Sequence, residues 1–581
     1  MCGVVGSAYV DDGPRDIAAV VDAADRQGHR GPDGRAVRES ADGRAVFGMN
    51  LLAVVSTGVE CGPYTDHASG VMLTFNGEVY NYRELAARWS VPLDRATTDA
   101  HVILRGYLLH GADFLTQLVG MFALAVHDPR TSQVLLARDR FGEKPLYYQA
   151  NRDALHFASE IKALAALAPV SPRVPDSFWA LETTTGSATL FDGAELLEPG
   201  TFLVFDLRTG SGRVTRYWAP ESVEHDGADV RAALDTALER TRPSEPFALM
   251  LSGGLDSAVL AATMRPDVLV TVGYPGEDRL DETADARLVA DSLGIPLVTV
   301  LPTAADFAAR AEEIVRALDH PVGNASLLSE FMLYERVAEM GLRVVVGGTG
   351  PDELLLGYVR HAILLDGPLG DGAAGLESYA PLRDKFKRHS MSRRSAAERY
   401  YRLILRGPDV DGSVRRLVHG VFAGAPDVAR ALSITDLLTA FPPLMLTSDK
   451  LSSHFGLERR SPYLDHEFAE CCYALPLTRK RTPLLGLKAV LREVAADVGV
   501  PRSIWEAVDK RGFASPVPFW LDNELAAWSR TWTGGRNQQH DAGTGGGRYD
   551  RARMMAVLMG IWRHQWTSPT DVVKGEQYVA V

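Results

Sequence analysis

Apolar positions along this 581-residue chain recur with two periods, and the change falls near residue 220. Residues 1–215 carry short apolar runs at 71–75, 121–126, 134–137 and 202–205, divided by turns rich in Gly, Asn, Asp and Pro. Such spacing predicts antiparallel strands. Helix-like stretches at 16–27 and 99–110 interrupt them, so antiparallel sheets flanked by helices are expected. Residues 226–581 open with a helix-like stretch at 229–240. Apolar strands at 247–251, 268–273, 297–301 and 343–346 then alternate with helical stretches at 258–264, 282–293, 305–318 and 327–340. Alternation of this kind predicts a parallel sheet covered on both faces, with ligands beyond the carboxyl ends of its strands. Past residue 395 the pattern is mainly helical. Gly-rich segments at 367–375 and 534–547 read as surface loops, and no internal repeat is visible.

Composition narrows the class. The chain is too long for one core, so two or more domains are expected. Hydrophobic and charged fractions of 46% and 23% are ordinary for a soluble protein. A net charge of −13 weighs against nucleic-acid or anionic-membrane binding. The one basic stretch, 385–394, reads as a solvated face. No apolar run reaches the ~18 residues that span a bilayer, and the first residues lack the features of a signal peptide. Four cysteines do not make a disulfide framework. Cys471 and Cys472 lie in an apolar helical stretch and read as buried thiols, and Cys61 has no evident partner. A reducing, cytoplasmic setting is expected, without zinc.

Candidate chemistry concentrates in two places. The first is Leu251-Ser-Gly-Gly-Leu-Asp-Ser257, where an apolar strand passes through a Gly-rich turn into a helix. Backbone N–H groups and the helix dipole make such a turn an anion site. Ser252 and Ser257 add hydroxyls, and Gly253 and Gly254 permit close approach. Asp256 fits an anion pocket only with a divalent cation between them, so a nucleotide pyrophosphate held with Mg²⁺ is expected. A plain chain reversal is the bland alternative. The second place is Cys2. With Met1 removed, its α-amine becomes a general base for its own thiol, although a free cysteine is often only a small hydrophobe.

Cys2 is followed in order by His29-Arg-Gly-Pro-Asp33, Asn76-Gly-Glu-Val-Tyr-Asn81, Thr98-Asp99, Gly120-Met-Phe-Ala123 and Arg138-Asp-Arg-Phe-Gly142. Together these resemble the class II glutamine amidotransferase domain, an N-terminal nucleophile (Ntn) hydrolase. The Ser-Gly-Gly centre and the segments after it resemble the synthetase domain of the asparagine synthetase B family. The resemblance runs through nearly the whole chain. It implies an α/β protein: an αββα Ntn-hydrolase sandwich (1–215), then an α/β PP-loop ATP pyrophosphatase domain with a helical C-terminal part (226–581).

It also assigns roles. Cys2 looks like the nucleophile, with the Asn76 side chain and the Gly77 N–H as oxyanion hole; a plain hairpin turn is the alternative for that dipeptide. Glu78 and Asp99 resemble the carboxylates that hold glutamine's α-ammonium, and Arg30 a brace for the N-terminal strand. Leu251, Ser252, Gly253, Gly254, Asp256, Ser257, Val272, Gly347 and Gly348 fall where the family binds ATP, with Gly273 beside Val272. Asp256 and Asp352 are the expected Mg²⁺ carboxylates; for Asp352 a first-turn helix acid is the alternative. Lys510, in Asp509-Lys-Arg-Gly-Phe513, matches the lysine that stabilises developing phosphate charge. In Glu458-Arg-Arg-Ser-Pro-Tyr-Leu-Asp465, Glu458, Arg460 and Asp465 read as architectural ion pairs.

Two positions depart from the family pattern. Leu51 stands where an Arg usually pairs with glutamine's α-carboxylate, and Leu cannot replace a bidentate cation. Thr349 stands where a Glu takes part in proton transfer, and Thr is no base at neutral pH. The expected function is ATP-dependent amidation of a small carboxylic acid, other than aspartate, through an acyl-adenylate, with ammonia from glutamine. ATP and Mg²⁺ are the implied cofactors, glutamine and the acid the partners, and a homodimer is allowed. The alternatives are a modified nitrogen donor (hydroxamate or amine) or free ammonia, in specialised metabolism, and a degenerate scaffold. The residues alone do not choose the acid or the pathway.

Overall fold

The computed structural model describes residues 2–11, 15–54, 60–94, 97–222, 229–277, 280–366, 393–482, 486–507, 515–534 and 551–567. The N-terminal half begins with β1 (Gly3–Tyr9), α1 (Ile17–Arg26), β2 (Gly34–Glu39), β3 (Ala45–Leu51), β4 (Tyr64–Thr65) and β5 (Met72–Val79). There follow α2 (Tyr82–Arg88), α3 (Asp99–His110), β6 (Gly120–Asp128), β7 (Gln133–Arg138), β8 (Tyr147–Ala150), β9 (Ala154–Ala158) and α4 (Ile161–Leu167). A short ribbon, β10 (Ser171–Pro172) with β11 (Phe191–Asp192), precedes β12 (Glu195–Leu196), β13 (Thr201–Asp206) and β14 (Ser211–Arg216).

Two six-stranded sheets result, in the orders β12-β8-β9-β1-β3-β2 and β14-β13-β7-β6-β5-β4. Strand pairing within both is antiparallel. Val4, Phe47 and Phe157 from the first sheet pack against Met72, Ala123 and Leu136 from the second. Helices α1 and α4 cover the outside of the first sheet, and α2 and α3 the outside of the second. The layering is αββα. The burial pattern of β1, inward at nearly every position, follows from this layering, because a middle-layer strand meets another sheet on one face and helices on the other.

The second half is built around a parallel sheet. After helix α5 (Val230–Thr241) come β15 (Phe247–Met250), α6 (Leu255–Met264), β16 (Val268–Val272), α7 (Thr283–Leu293) and β17 (Leu297–Val300). Helices α8 (Ala304–Leu318) and α9 (Leu327–Glu339) lead to β18 (Val344–Val346) and the single turn α10 (Pro351–Leu354). The sheet order is β17-β16-β15-β18-β19, every pair parallel. Its last strand, β19 (Glu458–Arg460), arrives after a helical excursion that ends in α11 (Phe441–His454). The sequence pattern does not predict β19: three charged residues in a row give no apolar signal. They form a strand because the edge of β18 is open to them, with Val344, Val345 and Val346 opposite Glu458, Arg459 and Arg460. Cys471 and Cys472 are buried thiols in the helix His466–Ala474. No helix among the described residues is long and apolar enough to cross a membrane.

One apolar cluster crosses between the halves. Ile161, Leu164 and Phe178 join Phe307, Ile314 and Trp562 in it. Beside it, Arg30 on the N-terminal half reaches Asp449 on α11, and Lys144 reaches the same carboxylate.

Candidate active site

The first centre forms where β1, β3 and β5 meet. The Cys2 backbone N–H donates to Asn76 Oδ1 at 2.9 Å, and the thiol is buried. Arg30 Nε donates to the Cys2 carbonyl at 3.2 Å. The same guanidinium binds Glu160 Oε1 at 3.1 Å and Asp449 Oδ2 at 2.8 Å. Burial pushes the Cys2 thiol above its ordinary value, against the pull of the chain's amino terminus. Asn76 Nδ2 is buried and has no hydrogen-bond partner. A buried amide donor without an acceptor is costly, and this one belongs to the side chain that accepts the Cys2 N–H. Gly77 does not lie in a tight turn; it sits within β5 at φ +147°. An added Cβ there would lie 2.0 Å from the Met121 carbonyl oxygen, so only glycine lets β5 and β6 approach here.

Two carboxylates face this centre. Asp99, at the start of α3, accepts from the Val79 N–H at 3.1 Å, and Glu78 follows Gly77 on β5. Burial and the charges of Glu458 and Asp99 push Glu78 up to about 8. Burial pushes Asp99 up to about 7. Two buried acids held this way gain from a cation between them, and an ammonium group supplies one. Leu51 packs in the apolar cluster that contains Cys2, Met49 and Tyr64. Arg460 Nη2 lies 3.9 Å from Glu78, while its Nε binds Glu458 at 2.7 Å and its Nη1 donates to the Thr241 carbonyl at 3.2 Å. Burial opposes ionisation of Glu458, but Arg460 holds its carboxyl below the ordinary range. The Glu458–Arg460 pair is therefore architectural and also forms a wall of this pocket.

The remaining N-terminal motifs shape the walls. Asp139 accepts backbone N–H groups from Phe141, Glu143 and Lys144, all at 3.0 Å. Arg138 donates to the carbonyls of Gly142, Lys144 and Leu197. Asn81 ties the end of β5 to Gln117 and Val119.

The second centre lies beyond the carboxyl ends of β15, β16 and β18. Gly253 takes φ +70°, which turns the chain from β15 into α6. Ser257 Oγ accepts from the Ser252 N–H at 3.1 Å, and the two hydroxyls lie 3.1 Å apart. Gly348 packs on this turn: an added Cβ would lie 3.4 Å from the Ser257 nitrogen. Val272 ends β16 and Gly273 follows it, with the Gly273 N–H bound to the Val300 carbonyl. Tyr463 Oη donates to the Asp256 carbonyl at 2.9 Å, so the 458–465 signature buttresses the turn.

Asp256 and Asp352 come together through a residue the sequence reading does not single out. Lys488 Nζ lies 2.5 Å from Asp256 Oδ2 and 2.7 Å from Asp352 Oδ1. Lys488 precedes the helix α12 (Ala489–Asp497) at φ +55°. A helix start favours acids, so a lysine heading the amphipathic stretch 489–497 is the one signal that marks it. Asp256 Oδ1 is buried with no hydrogen-bond partner. No group of three or more metal-binding side chains occurs among the described residues. Mg²⁺ is nonetheless suited here, since it often takes only one or two carboxylates and draws other ligands from phosphates and water. Asp352 is also a first-turn acid of α10. Burial, then the Asp352 charge, pushes the neighbouring Glu353 up to about 8. Lys510 lies outside the described residues.

An αββα domain with a cysteine at the head of its central strand, joined to a parallel-sheet domain with a phosphate-type turn, defines a two-centre enzyme of the amidotransferase–ligase class. The asparagine synthase family profile matches residues 229–566, and the chain belongs to that family. The glutamine amidotransferase domain profile matches residues 1–218. The chain is 29% identical to a putative glutamine-hydrolysing asparagine synthetase of Mycobacterium tuberculosis, over 93% of this chain and 91% of that one. It is 26% identical to glutamine-hydrolysing asparagine synthetase 2 of Bacillus subtilis, over 81% of this chain and 66% of that one. An amidase, chyE, of Penicillium rubens is 28% identical over 58% of this chain and 54% of its own length.

Proposed function

We propose that this protein is a glutamine-hydrolysing, AMP-forming ligase that converts a carboxylic acid to its amide. One observation carries the reading: alternate residues of β19 face different centres. Glu458 and Arg460 reach the Glu78 pocket, and Arg459 reaches Thr349 at 2.6 Å beside the Ser-Gly-Gly turn. Side chains alternate across a strand, so three residues join the pocket that releases nitrogen to the pocket that consumes it.

At the first centre, the Cys2 thiolate attacks the side-chain amide carbon of glutamine, with its own α-amine taking the proton. Asn76 Nδ2 and the Gly77 N–H stabilise the oxyanion, where one such donor is worth ~10²–10³ in rate. Glu78 and Asp99 hold the α-ammonium. The tetrahedral intermediate expels ammonia, and water then hydrolyses the Cys2 thioester to glutamate. At the second centre, an oxygen of the acceptor carboxylate attacks the α-phosphorus of ATP, and the α–β phosphoanhydride bond breaks to release pyrophosphate. Ammonia attacks the acyl carbon, the acyl–phosphate C–O bond breaks, and AMP leaves. The 252–257 turn holds the pyrophosphate, Lys488 and Lys510 balance its charge, and Val272, Gly273, Gly347 and Gly348 border the nucleotide. Asp256 and Asp352 are the residues that would hold Mg²⁺, which would supply further neutralisation of phosphate charge. Leu51 leaves glutamine's α-carboxylate without the usual Arg, which favours a donor with a modified α-carboxylate as the second reading.

The test follows AMP and pyrophosphate release with ATP, Mg²⁺ and a panel of acids, with glutamine or ammonium as donor. Cys2→Ala is expected to abolish glutamine-supported turnover and to keep ammonium-supported turnover. Oxygen-18 in the acid should appear in AMP; its absence there, or unchanged glutamine use by Cys2→Ala, would refute the reading.

A further inference from the structure

Arg459 is a buried cation that forms no ion pair with a carboxylate among the described residues. It is 7% exposed, yet none of its nitrogens lies within salt-bridge distance of a carboxylate among the described residues. Its Nη1 donates to Ser461 Oγ at 2.7 Å and its Nη2 to Thr349 Oγ1 at 2.6 Å. Its Nε has no hydrogen-bond partner among the described residues. The Tyr334 hydroxyl is buried and close enough to feel the Arg459 charge. The guanidinium lies against the chain at Gly347, where an added Cβ would be 2.5 Å from Nη2. Gly348, the next residue, packs on Asp256 and Ser257. The free charge thus stands one hydroxyl from the nucleotide turn, on the face of β19 away from the Glu78 pocket.

Two acids lie near enough to influence it. Burial, then Asp139, pushes Glu143 up to about 8. Burial also pushes Glu330 up, and this carboxyl is occupied by Ser326 at 2.7 Å and Ser448 at 3.2 Å. Neither carboxylate pairs with the guanidinium, whose hydrogen bonds go to hydroxyls. A buried charge of this kind is costly unless an opposite charge meets it, and a planar guanidinium matches a carboxylate. It repels an ammonium group for the same reason.

We propose that Arg459, held by Thr349 and Ser461, binds a second anionic group of the acceptor, so that the preferred acceptor is a dicarboxylic acid without an α-ammonium. The inference rests on the ligase reading above and adds the substrate class. Arg459 acts as a specificity residue: it holds the end of the acid that does not react, with the Tyr334 hydroxyl beside it.

The experiment is ATP–pyrophosphate exchange with four matched sets of acids: C4–C6 dicarboxylates, their monoamides, their α-amino counterparts and the simple monocarboxylic acids. Wild type should favour the dicarboxylate over its monoamide by roughly 10- to 150-fold in kcat/KM, the worth of a hydrogen bond to a charged group. Arg459→Met should bring that ratio near one, mainly through KM, and Arg459→Lys should restore part of it. Glutamine hydrolysis, measured in parallel, should be unchanged, which separates lost recognition from lost folding. A ratio unmoved by Arg459→Met overturns the inference, as does a wild type that prefers the monoamide or the amino acid. Exchange with no dicarboxylate of the panel also overturns it. Failure to bind ATP in calorimetry overturns the ligase reading beneath it.

Discussion

At the scale of single residues, the pair Glu78 and Asp99 sets a pH dependence. Both carboxyls hold their protons to higher pH than usual, Glu78 to about 8 and Asp99 to about 7, and an ammonium needs them ionised. Glutamine hydrolysis should therefore lose kcat/KM as pH falls through that interval; a flat profile from pH 9 to 6 would contradict it. Linkage gives a second readout. The unfolded chain releases the Glu78 proton near its ordinary 4.5, and the folded protein keeps it to about 8. Ionised Glu78 thus costs stability increasingly between those values. Glu78→Gln should raise the melting temperature at pH 9, by roughly 2–8 °C, and change it little at pH 4. The same scale shows what residues alone disclose. Cys2, Asn76, Gly77 and Asp256 are legible because each stands in a run whose neighbours share its chemistry. Lys488 and Arg459 are not: one is a lone lysine before an ordinary helix, and the other hides inside a run that reads as ion pairs. Their roles arise from which carboxylate or hydroxyl the fold sets opposite them.

At the scale of elements, the turn between β15 and α6 is tightly constrained at Gly253. Gly253 packs on α7: an added Cβ would lie 3.0 Å from both the Asp285 side chain and the Glu282 carbonyl oxygen. It also needs φ +70°, which costs an L residue roughly 1–2 kcal/mol. Gly253→Ala should shift α6 against α7 and lower pyrophosphate exchange by roughly 10-fold or more, a conversion of that strain, while glutamine hydrolysis stays intact. Equal loss of both activities would point to a folding defect instead. The alternation of strand and helix from 247 to 346 is legible because its strands are mainly apolar runs, fully buried in β15 and β18 and nearly so in β16. β1 and β3 are harder to read, since Gly3, Gly6 and Gly48 break their apolar pattern where neighbouring side chains (Gln27 and Asn50, Phe47 and Phe157, Val5 and Val37) fill the space. β19 cannot be read at all, because its pairing is decided by β18 and not by its own three charged residues.

At the scale of the whole molecule, the two halves share a core. Phe178 and Ile161 from one half are buried with Phe307, Ile314 and Trp562 from the other. Arg30, fully buried, binds Glu160 in its own half and Asp449 across the boundary. Burial of this extent favours cooperative unfolding. Calorimetry should show one transition for both halves, and Arg30→Met should lower its midpoint, since removing one partner of a buried pair costs about 3–5 kcal/mol. Two well-separated transitions would show that the halves unfold independently.

The three residues of β19 impose a rule on any descendant of this chain. Inserting or deleting one residue there would turn every side chain to the opposite face. Arg459 would leave the Thr349 hydroxyl, while Glu458 and Arg460 would abandon the wall beside Glu78. Drift in that short segment therefore cannot retune the choice of acid while leaving nitrogen release alone unless it proceeds by substitution, one side chain at a time.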